Sequence, residues 1–185
     1  VACVVQDSIA YWAHAGDSRL YAIRGGRVLA QTRDHSRVQR MVEDGLITAA
    51  AAVHHPARNR IFSCLGGTSA PQIDFSTKTP LMTGDILVLC TDGVWGPLPS
   101  DVIPRAMSGG NVVQATPALL NQAEARGGDN ADNLSMISIR WEDNYAEDTL
   151  GSVSTKTMPI DSFTTQMEAF AKARGSGLAR TLTDI

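Results

Sequence analysis

The beginning of the chain alternates short apolar runs with turn residues, as antiparallel strands joined by tight turns do. Four strands are predicted, at 1–6, 9–15, 20–24 and 27–32. Gly25-Gly26 separates the last two and permits positive φ at both central positions of a two-residue hairpin. The opening segment therefore predicts a meander of antiparallel strands.

Four short helices are predicted after these strands. Each begins at a residue whose hydroxyl can accept a hydrogen bond from the first turn of a helix. In the fourth, a Pro follows the capping residue, as is common in the first helical position. The predicted capping residues are Ser36, Thr48, Ser100 and Thr116, and the fourth helix spans 117–126.

Three further strands are predicted at 72–77, 86–90 and 134–141. Residues 86–90 are almost wholly apolar, which predicts burial on both faces. Strands that follow one another through hairpins form antiparallel sheets. We therefore expect an α+β fold or a β-sandwich with flanking helices, rather than a parallel βαβ fold.

The composition changes at the end of the last predicted strand. Acidic residues and then a Ser/Thr/Gly-rich stretch follow, so we predict a domain over 1–142 and a linker and helical tail over 143–185. The tail helix carries Phe163, Met167 and Phe170 on one side, and we expect it to dock on its own domain. The first residue is Val, within a predicted strand, which predicts that an N-terminal part is missing.

Charge and cysteine content narrow the function classes. A formal net charge of −3 supplies no basic face for nucleic acid, and no apolar run approaches the roughly 20 residues of a membrane span. The three cysteines, Cys3, Cys64 and Cys90, lack metal or redox spacing. We therefore expect a cytoplasmic protein without nucleic-acid or membrane partners.

Two loops carry the strongest candidate chemistry. Asp92 directly follows the buried strand 86–90, where a carboxylate is rigidly held, although Asp-Gly is also a common turn pair. Asp129 and Asp132 belong to two Asp-Asn pairs in front of the last strand. Such a loop can coordinate a hard divalent cation or simply join a helix to a strand.

The remaining candidates are weaker taken singly. Asp34 and His35 form an Asp-His pair that suits a metal ligand or a base, although a lone His is more often structural. His54-His55 lacks the further ligands of a zinc site and is interpreted as surface loop. Asp17 is interpreted as structural, or as a residue that supports a ligand.

Taken together and in order, four segments resemble the metal-dependent PP2C-type (PPM) protein serine/threonine phosphatases in their bacterial form. The resemblance covers residues 1 to about 142. The segments are AHAGDSRLYAIRGGRVLAQTRDHS (13–36), MVEDGLITAAAAVHHPARN (41–59), GDILVLCTDGVWGPL (84–98) and DNADNLSMISIRW (129–141).

The resemblance implies a β-sandwich of two antiparallel sheets flanked by helices. It implies two Mn²⁺ or Mg²⁺ ions, with a weaker third site, and hydrolysis of phosphoserine or phosphothreonine on proteins by a metal-bound water. Asp92 and Asp132 match metal ligands of the family, with Asp129 a competing choice for the second, and Asp34 matches a ligand of the third site.

The resemblance also implies partners. The substrate is a phosphorylated protein, and a serine/threonine kinase is the expected counterpart. Residues 37–60 match a flap beside the metal cleft that is associated with substrate selection, and Arg58 is a candidate phosphopeptide contact there.

Several features depart from the family. Its Asp-Gly-x-Gly-Gly motif, its Glu-Asp pair and its phosphate-binding Arg have no counterpart in the 185 residues, and Gly96 stands where some members place another Asp. We therefore expect little activity from this chain alone. The alternatives are an inactive phosphatase-fold binding module, or a metal-dependent nuclease or phosphodiesterase, which the acidic balance disfavours.

Overall fold

The computed structural model describes residues 1–142, without the side chain of Asn130. The domain end near residue 142 stays a prediction, and the predicted tail helix lies outside the described residues. The strands are β1 (Ala2–Gln6), β2 (Ile9–His14), β3 (Arg19–Arg24), β4 (Arg27–Gln31), β5 (Asp74–Phe75), β6 (Thr79–Pro80), β7 (Ile86–Cys90) and β8 (Met136–Arg140). The helices are α1 (Arg37–Glu43), α2 (Ala49–Val53), α3 (Asp92–Trp95), α4 (Val102–Met107) and α5 (Val112–Gly127).

The strands form two four-stranded sheets. In the first, β2 pairs with β1, β5 and β6; in the second, the order is β4-β3-β7-β8. Every strand pairing in residues 1–142 is antiparallel. The predicted fold class is therefore confirmed. None of the helices in this part of the chain is long and apolar enough to cross a membrane.

The two central strands of the second sheet, β3 and β7, are buried on both faces. Ile23 and Val88 point towards α4 and α5, within a cluster that includes Leu119. Ala22 and Leu87 point the other way and pack against the first sheet. This two-sided burial explains why the segment 86–90 is apolar at every position.

Local signals in the sequence are confirmed at the turns and at two helix starts. Gly25 and Gly26 have φ of 53° and 77°, as the hairpin requires. Ser36 accepts a hydrogen bond from the Gln39 amide at the start of α1, and Thr48 caps α2 in the same way.

The predicted start of the longest helix is wrong. α5 begins at Val112, where the Asn111 side chain accepts a bond from the Gln114 amide at 3.1 Å, and Pro117 lies inside the helix. Val112 and Ala115 pack against the core, so burial of the first turn offsets the hydrogen bond that Pro cannot make. The α4 prediction is also displaced, because its capping position is Asp101 and not Ser100.

The predicted strand over 72–77 is mostly loop. Only Asp74–Phe75 pairs, with the last residues of β2. The alternating pattern of a strand persists in the sequence, but the partner strand β2 offers only a short length to this segment.

Candidate metal centre

Four carboxylates belong to segments that meet at one end of the second sheet. β3 and β8 begin at this end, and β4 and β7 finish there. The register fixes this arrangement, because Cys90 at the end of β7 lies opposite both Arg19 and Met136. The residues on the adjoining loops are Asp17, Asp34, Asp92 and Asp132.

A threonine ties the Asp92 loop to the Asp132 loop. The Thr91 hydroxyl donates to the carbonyl of Asn133 at 3.1 Å and accepts from the amide of Ser135 at 3.1 Å. The Thr91 amide also donates to the Ser135 carbonyl at 3.0 Å. The two strongest candidate ligands are therefore carried by segments that are bonded to each other.

Gly93 allows this close approach. A Cβ placed on Gly93 would lie 2.5 Å from the carbonyl oxygen of Asn133. Beside it, Oδ1 of Asp92 accepts the Gly93 amide at 3.0 Å, and Oδ1 of Asp132 accepts the Asn133 amide at 2.7 Å. These bonds orient both carboxylates through one oxygen and leave coordinating capacity on the other.

Asp34 is held in an ion pair that the sequence did not predict. Arg19 donates to its two oxygens at 2.9 and 2.7 Å, and the Asp34 side chain is only 7% exposed. The guanidinium also lies 3.4 Å from the centre of the Trp95 ring. Asp34 as a third-site ligand stays a prediction, and a metal there would have to share the carboxylate with Arg19.

Asp17 lies within electrostatic reach of the candidate ligands. Burial raises the pKa of its carboxyl, and the nearby charges of Asp92 and Asp34 raise it further. The Trp95 indole donates to the Asp17 carbonyl at 3.0 Å and holds the loop in place. The interpretation of Asp17 as structural, or as support for a ligand, stays a prediction, and its proximity to the other charges becomes evident only when the four strands are assembled.

We expect Asp17→Asn to raise the melting temperature of the metal-free protein. The raised pKa of Asp17 means that its ionised form opposes folding at neutral pH, and the amide removes that charge. The gain should shrink as pH falls through the folded-state pKa, where Asp17 becomes neutral in the parent chain as well. Calorimetry at neutral and acidic pH with a chelator measures this, and a lower melting temperature at neutral pH would contradict it.

The other sequence candidates lie away from these bonds. Arg58 is exposed and donates to the Val53 carbonyl at 3.4 Å, within the segment 37–60. A bridge between Ser36 and Ile61 closes the base of that segment. Asp129 is exposed on the 3-10 turn Gly128–Asn130, without the bonds that tie Asp132 to the Asp92 loop.

His54 and His55, which were predicted to lie in a surface loop, follow helix α2. His54 is exposed, and His55 uses Nδ1 to accept the Ala57 amide at 3.1 Å in a local turn. A different histidine cluster, which the sequence interpretation did not find, lies at the end of β2.

The donor set at the carboxylate end fits a hard divalent cation. Asp17, Asp92 and Asp132 offer only oxygen, the ligand type that Mg²⁺ and Mn²⁺ prefer over the N and S ligands of zinc. Burial and then the neighbouring charges of Asp92 and Asp34 raise the pKa of Asp17, and a cation at this end would reduce the repulsion among these carboxylates.

Comparison with known proteins gives consistent results. No family model matches the chain. A putative protein phosphatase 2C-type from Streptococcus pyogenes is 32% identical over 147 residues, which are 79% of this chain and 58% of that protein. The crystal structure of the Mycobacterium tuberculosis serine/threonine phosphatase PstP/Ppp is 29% identical, with a TM-score of 0.66 over 76% of this chain and 58% of that one.

A further solved structure bears on the metal. The catalytic domain of the serine/threonine protein phosphatase PstP in complex with two manganese ions matches 76% of this chain and 57% of its own, with 27% identity and a TM-score of 0.63. The chain thus spans somewhat more than half the length of the proteins it resembles.

Proposed function

We propose that this chain, a homologue of the PP2C-type protein serine/threonine phosphatases, serves in the metal-dependent hydrolysis of phosphoserine and phosphothreonine on proteins. The homology supports protein dephosphorylation. The observation that carries the proposal is the bonded pair of loops that presents Asp92 and Asp132 at one end of the sandwich.

Asp92, Asp132 and Asp17 are the residues that would hold Mn²⁺ or Mg²⁺. When bound, such ions lower the pKa of coordinated water and neutralise charge on the phosphoryl oxygens. The manganese-bound PstP structure supports two ions, and a weaker third beside Asp34 remains part of the proposal.

The chain's own contribution is to position these ligands. Thr91 and Gly93 hold the two loops together, which limits how far their carboxylates can move apart. Arg19 supplies a fixed positive charge against Asp34, which limits the repulsion within the cluster. Trp95 packs under Arg19 and shields that charge from water on one side.

The segment 37–60 supports a phosphoprotein substrate. It carries four arginines against two acidic residues, in a chain whose net charge is −3. A positively charged surface attracts a phosphopeptide, and Arg58 is the contact that we propose. A serine/threonine kinase as counterpart and a cytoplasmic location, which suits the exposed thiol of Cys64, belong to the same proposal.

We expect Asp92→Asn to lower the Mn²⁺ affinity of the 185-residue chain at least tenfold and to abolish Mn²⁺-dependent phosphate release from a phosphothreonine peptide. The substitution keeps the side-chain shape and removes the charge. Calorimetric Mn²⁺ titration and a phosphate-release assay measure the two effects. The control is Asp101→Asn, which changes an exposed carboxylate paired only with Arg105.

The outcomes separate the candidate functions. Turnover is expected to be slow, because the family's upstream motif has no counterpart in these residues. Binding of Mn²⁺ and phosphopeptide without any turnover would favour the non-catalytic binding module. Cleavage of nucleic acid with Mn²⁺ would favour a nuclease. Equal Mn²⁺ affinity in Asp92→Asn and Asp101→Asn would show that Asp92 is not a ligand.

A further inference from the structure

We propose a second metal site, for Zn²⁺ or a similar borderline divalent ion, formed by His14, His35 and Asp74. One ligand atom from each residue lies within 4.8 Å of the other two. His14 ends β2 and lies opposite Asp74 of β5 in the register. The His35 ring stacks beside His14, with 4.7 Å between ring centres.

One ring nitrogen in this cluster is buried without a polar partner. Within residues 1–142, Nδ1 of His14 has no hydrogen-bond partner, whereas Nε2 of His35 lies 3.2 Å from a carboxylate oxygen of Asp74. The two residues are only 6% and 2% exposed. Nδ1 of His14 is therefore a buried acceptor that a metal ion would satisfy.

The His14 ring already has the orientation of a metal ligand. Its Nε2 lies 2.6 Å from the carbonyl oxygen of Arg33. Because a carbonyl only accepts, Nε2 carries the proton and Nδ1 keeps its lone pair. A backbone carbonyl that fixes the outer nitrogen is the usual partner of a metal-binding histidine.

Asp74 is oriented and ionised. Gln72 donates to its Oδ1 at 3.0 Å, while Oδ2 lies 3.2 Å from Nε2 of His35. The Gln72 bond and the neighbouring His35 lower the pKa of the Asp74 carboxyl. The carboxylate is therefore available to a cation at neutral pH.

His35 must change tautomer to become the third ligand. Its Nδ1 accepts the Gly16 amide at 3.2 Å, so the neutral ring carries its proton on Nε2. If Nε2 binds the metal ion, its proton moves to Nδ1. The Nδ1–H group of His35 then faces the N–H group of Gly16. The Gly16 amide must lose its bond, so its environment reports metal binding one residue away from Asp17.

The ligand atoms of this cluster and its exposure to solvent indicate which metal ion it would bind. Two imidazoles and one carboxylate suit Zn²⁺, Co²⁺ or Ni²⁺ better than Mg²⁺ or Mn²⁺. A polar cavity of about 220 Å³ lies beside His35 and Asp74, and the Asp74 side chain is 43% exposed to solvent. The site therefore differs in ligand chemistry from the oxygen-only carboxylate end.

The test titrates the metal-free 185-residue chain with Co²⁺, in excess Mg²⁺ that occupies oxygen-only sites. We expect visible d–d absorption from one bound Co²⁺, its displacement by Zn²⁺, and a shift of the Gly16 amide resonance on Zn²⁺ binding. His14→Gln keeps a donor for the Arg33 carbonyl, and Asp74→Asn keeps the side-chain shape. Each should weaken Co²⁺ binding at least tenfold.

Two control variants test whether Co²⁺ binds at the cluster of His14, His35 and Asp74. His54→Asn changes an exposed histidine outside the cluster, and Asp101→Asn changes an exposed carboxylate paired with Arg105. Both should leave Co²⁺ affinity unchanged. If His14→Gln does not fold, the partly exposed Asp74→Asn decides. The proposal is overturned if the parent chain binds no Co²⁺ in Mg²⁺, if Asp74→Asn binds it as tightly as the parent, or if His54→Asn removes binding.

Discussion

Gly93→Ala should cost about 2 kcal/mol of unfolding free energy and most of the affinity for Mn²⁺. The new methyl would lie 2.5 Å from the carbonyl oxygen of Asn133 and 3.3 Å from the carbonyl carbon of Asp132. These atoms are backbone and cannot rotate away, so the two loops must separate, and overpacking of this kind costs about 1–3 kcal/mol. Urea unfolding and calorimetric Mn²⁺ titration measure both effects.

Gly109→Ala is the matched control. A Cβ at Gly109 meets no atom within 4 Å. This variant should stay within about 0.5 kcal/mol of the parent and bind Mn²⁺ normally. If the two variants lose equal stability, or if Gly93→Ala keeps full Mn²⁺ affinity, close contact at Gly93 is not what joins the ligand loops.

Asp85→Ala should destabilise the fold by about 2 kcal/mol, because a buried backbone amide loses its acceptor and Arg24 loses its ion pair. Asp85 is 1% exposed, and Arg24 donates to its two oxygens at 2.7 Å each. It also accepts the Met82 amide at 2.8 Å. The substitution leaves this amide without its partner, and the guanidinium must turn to solvent. Chemical unfolding at neutral pH measures the loss.

The pH dependence of that loss has a definite sign. Burial alone would raise the pKa of Asp85, but the bonds from Arg24 and Met82 outweigh it, so the pKa lies below its usual value. The stabilisation is therefore present above about pH 4, the pKa of an unfolded Asp, and is lost as pH falls through the folded-state value. Asp101→Ala, at an exposed pair, should cost at most about 1 kcal/mol. An equal cost for both variants, or a cost for Asp85→Ala that grows in acid, would contradict the assignment.

The fold was predictable where short-range chemistry decides it. Gly25-Gly26 allows the positive φ values of the tight turn, and Ser36 bonds to the helix that follows it. The all-apolar segment 86–90 predicted the strand that is buried on both faces. In each of these cases the information lies within a few residues.

The wrong predictions concern elements whose bounds depend on contacts between residues far apart in the sequence. Pro117 indicated a helix start, but Val112 and Ala115 find a core surface that extends α5 by more than one turn. The pattern over 72–77 indicated a strand, but strand length depends on the partner. Such partners are unknown until the sheets are assembled.

The candidate site was predictable in part for the same reason. Asp92 and Asp132 follow from motifs, although their ligand roles await the metal titrations. The Asp34–Arg19 pair joins residues 15 positions apart on opposite sides of a hairpin, and no motif encodes it. The significance of Asp17 likewise depends on charges that four different segments bring together.

The ion pair of Arg19 has a consequence for the order of assembly. An internal counter-ion, held against Asp34 and stacked on Trp95, offsets charge in the acidic cluster before any cation is present. We therefore expect the metal-free chain to fold, with metal binding as a separate and reversible step.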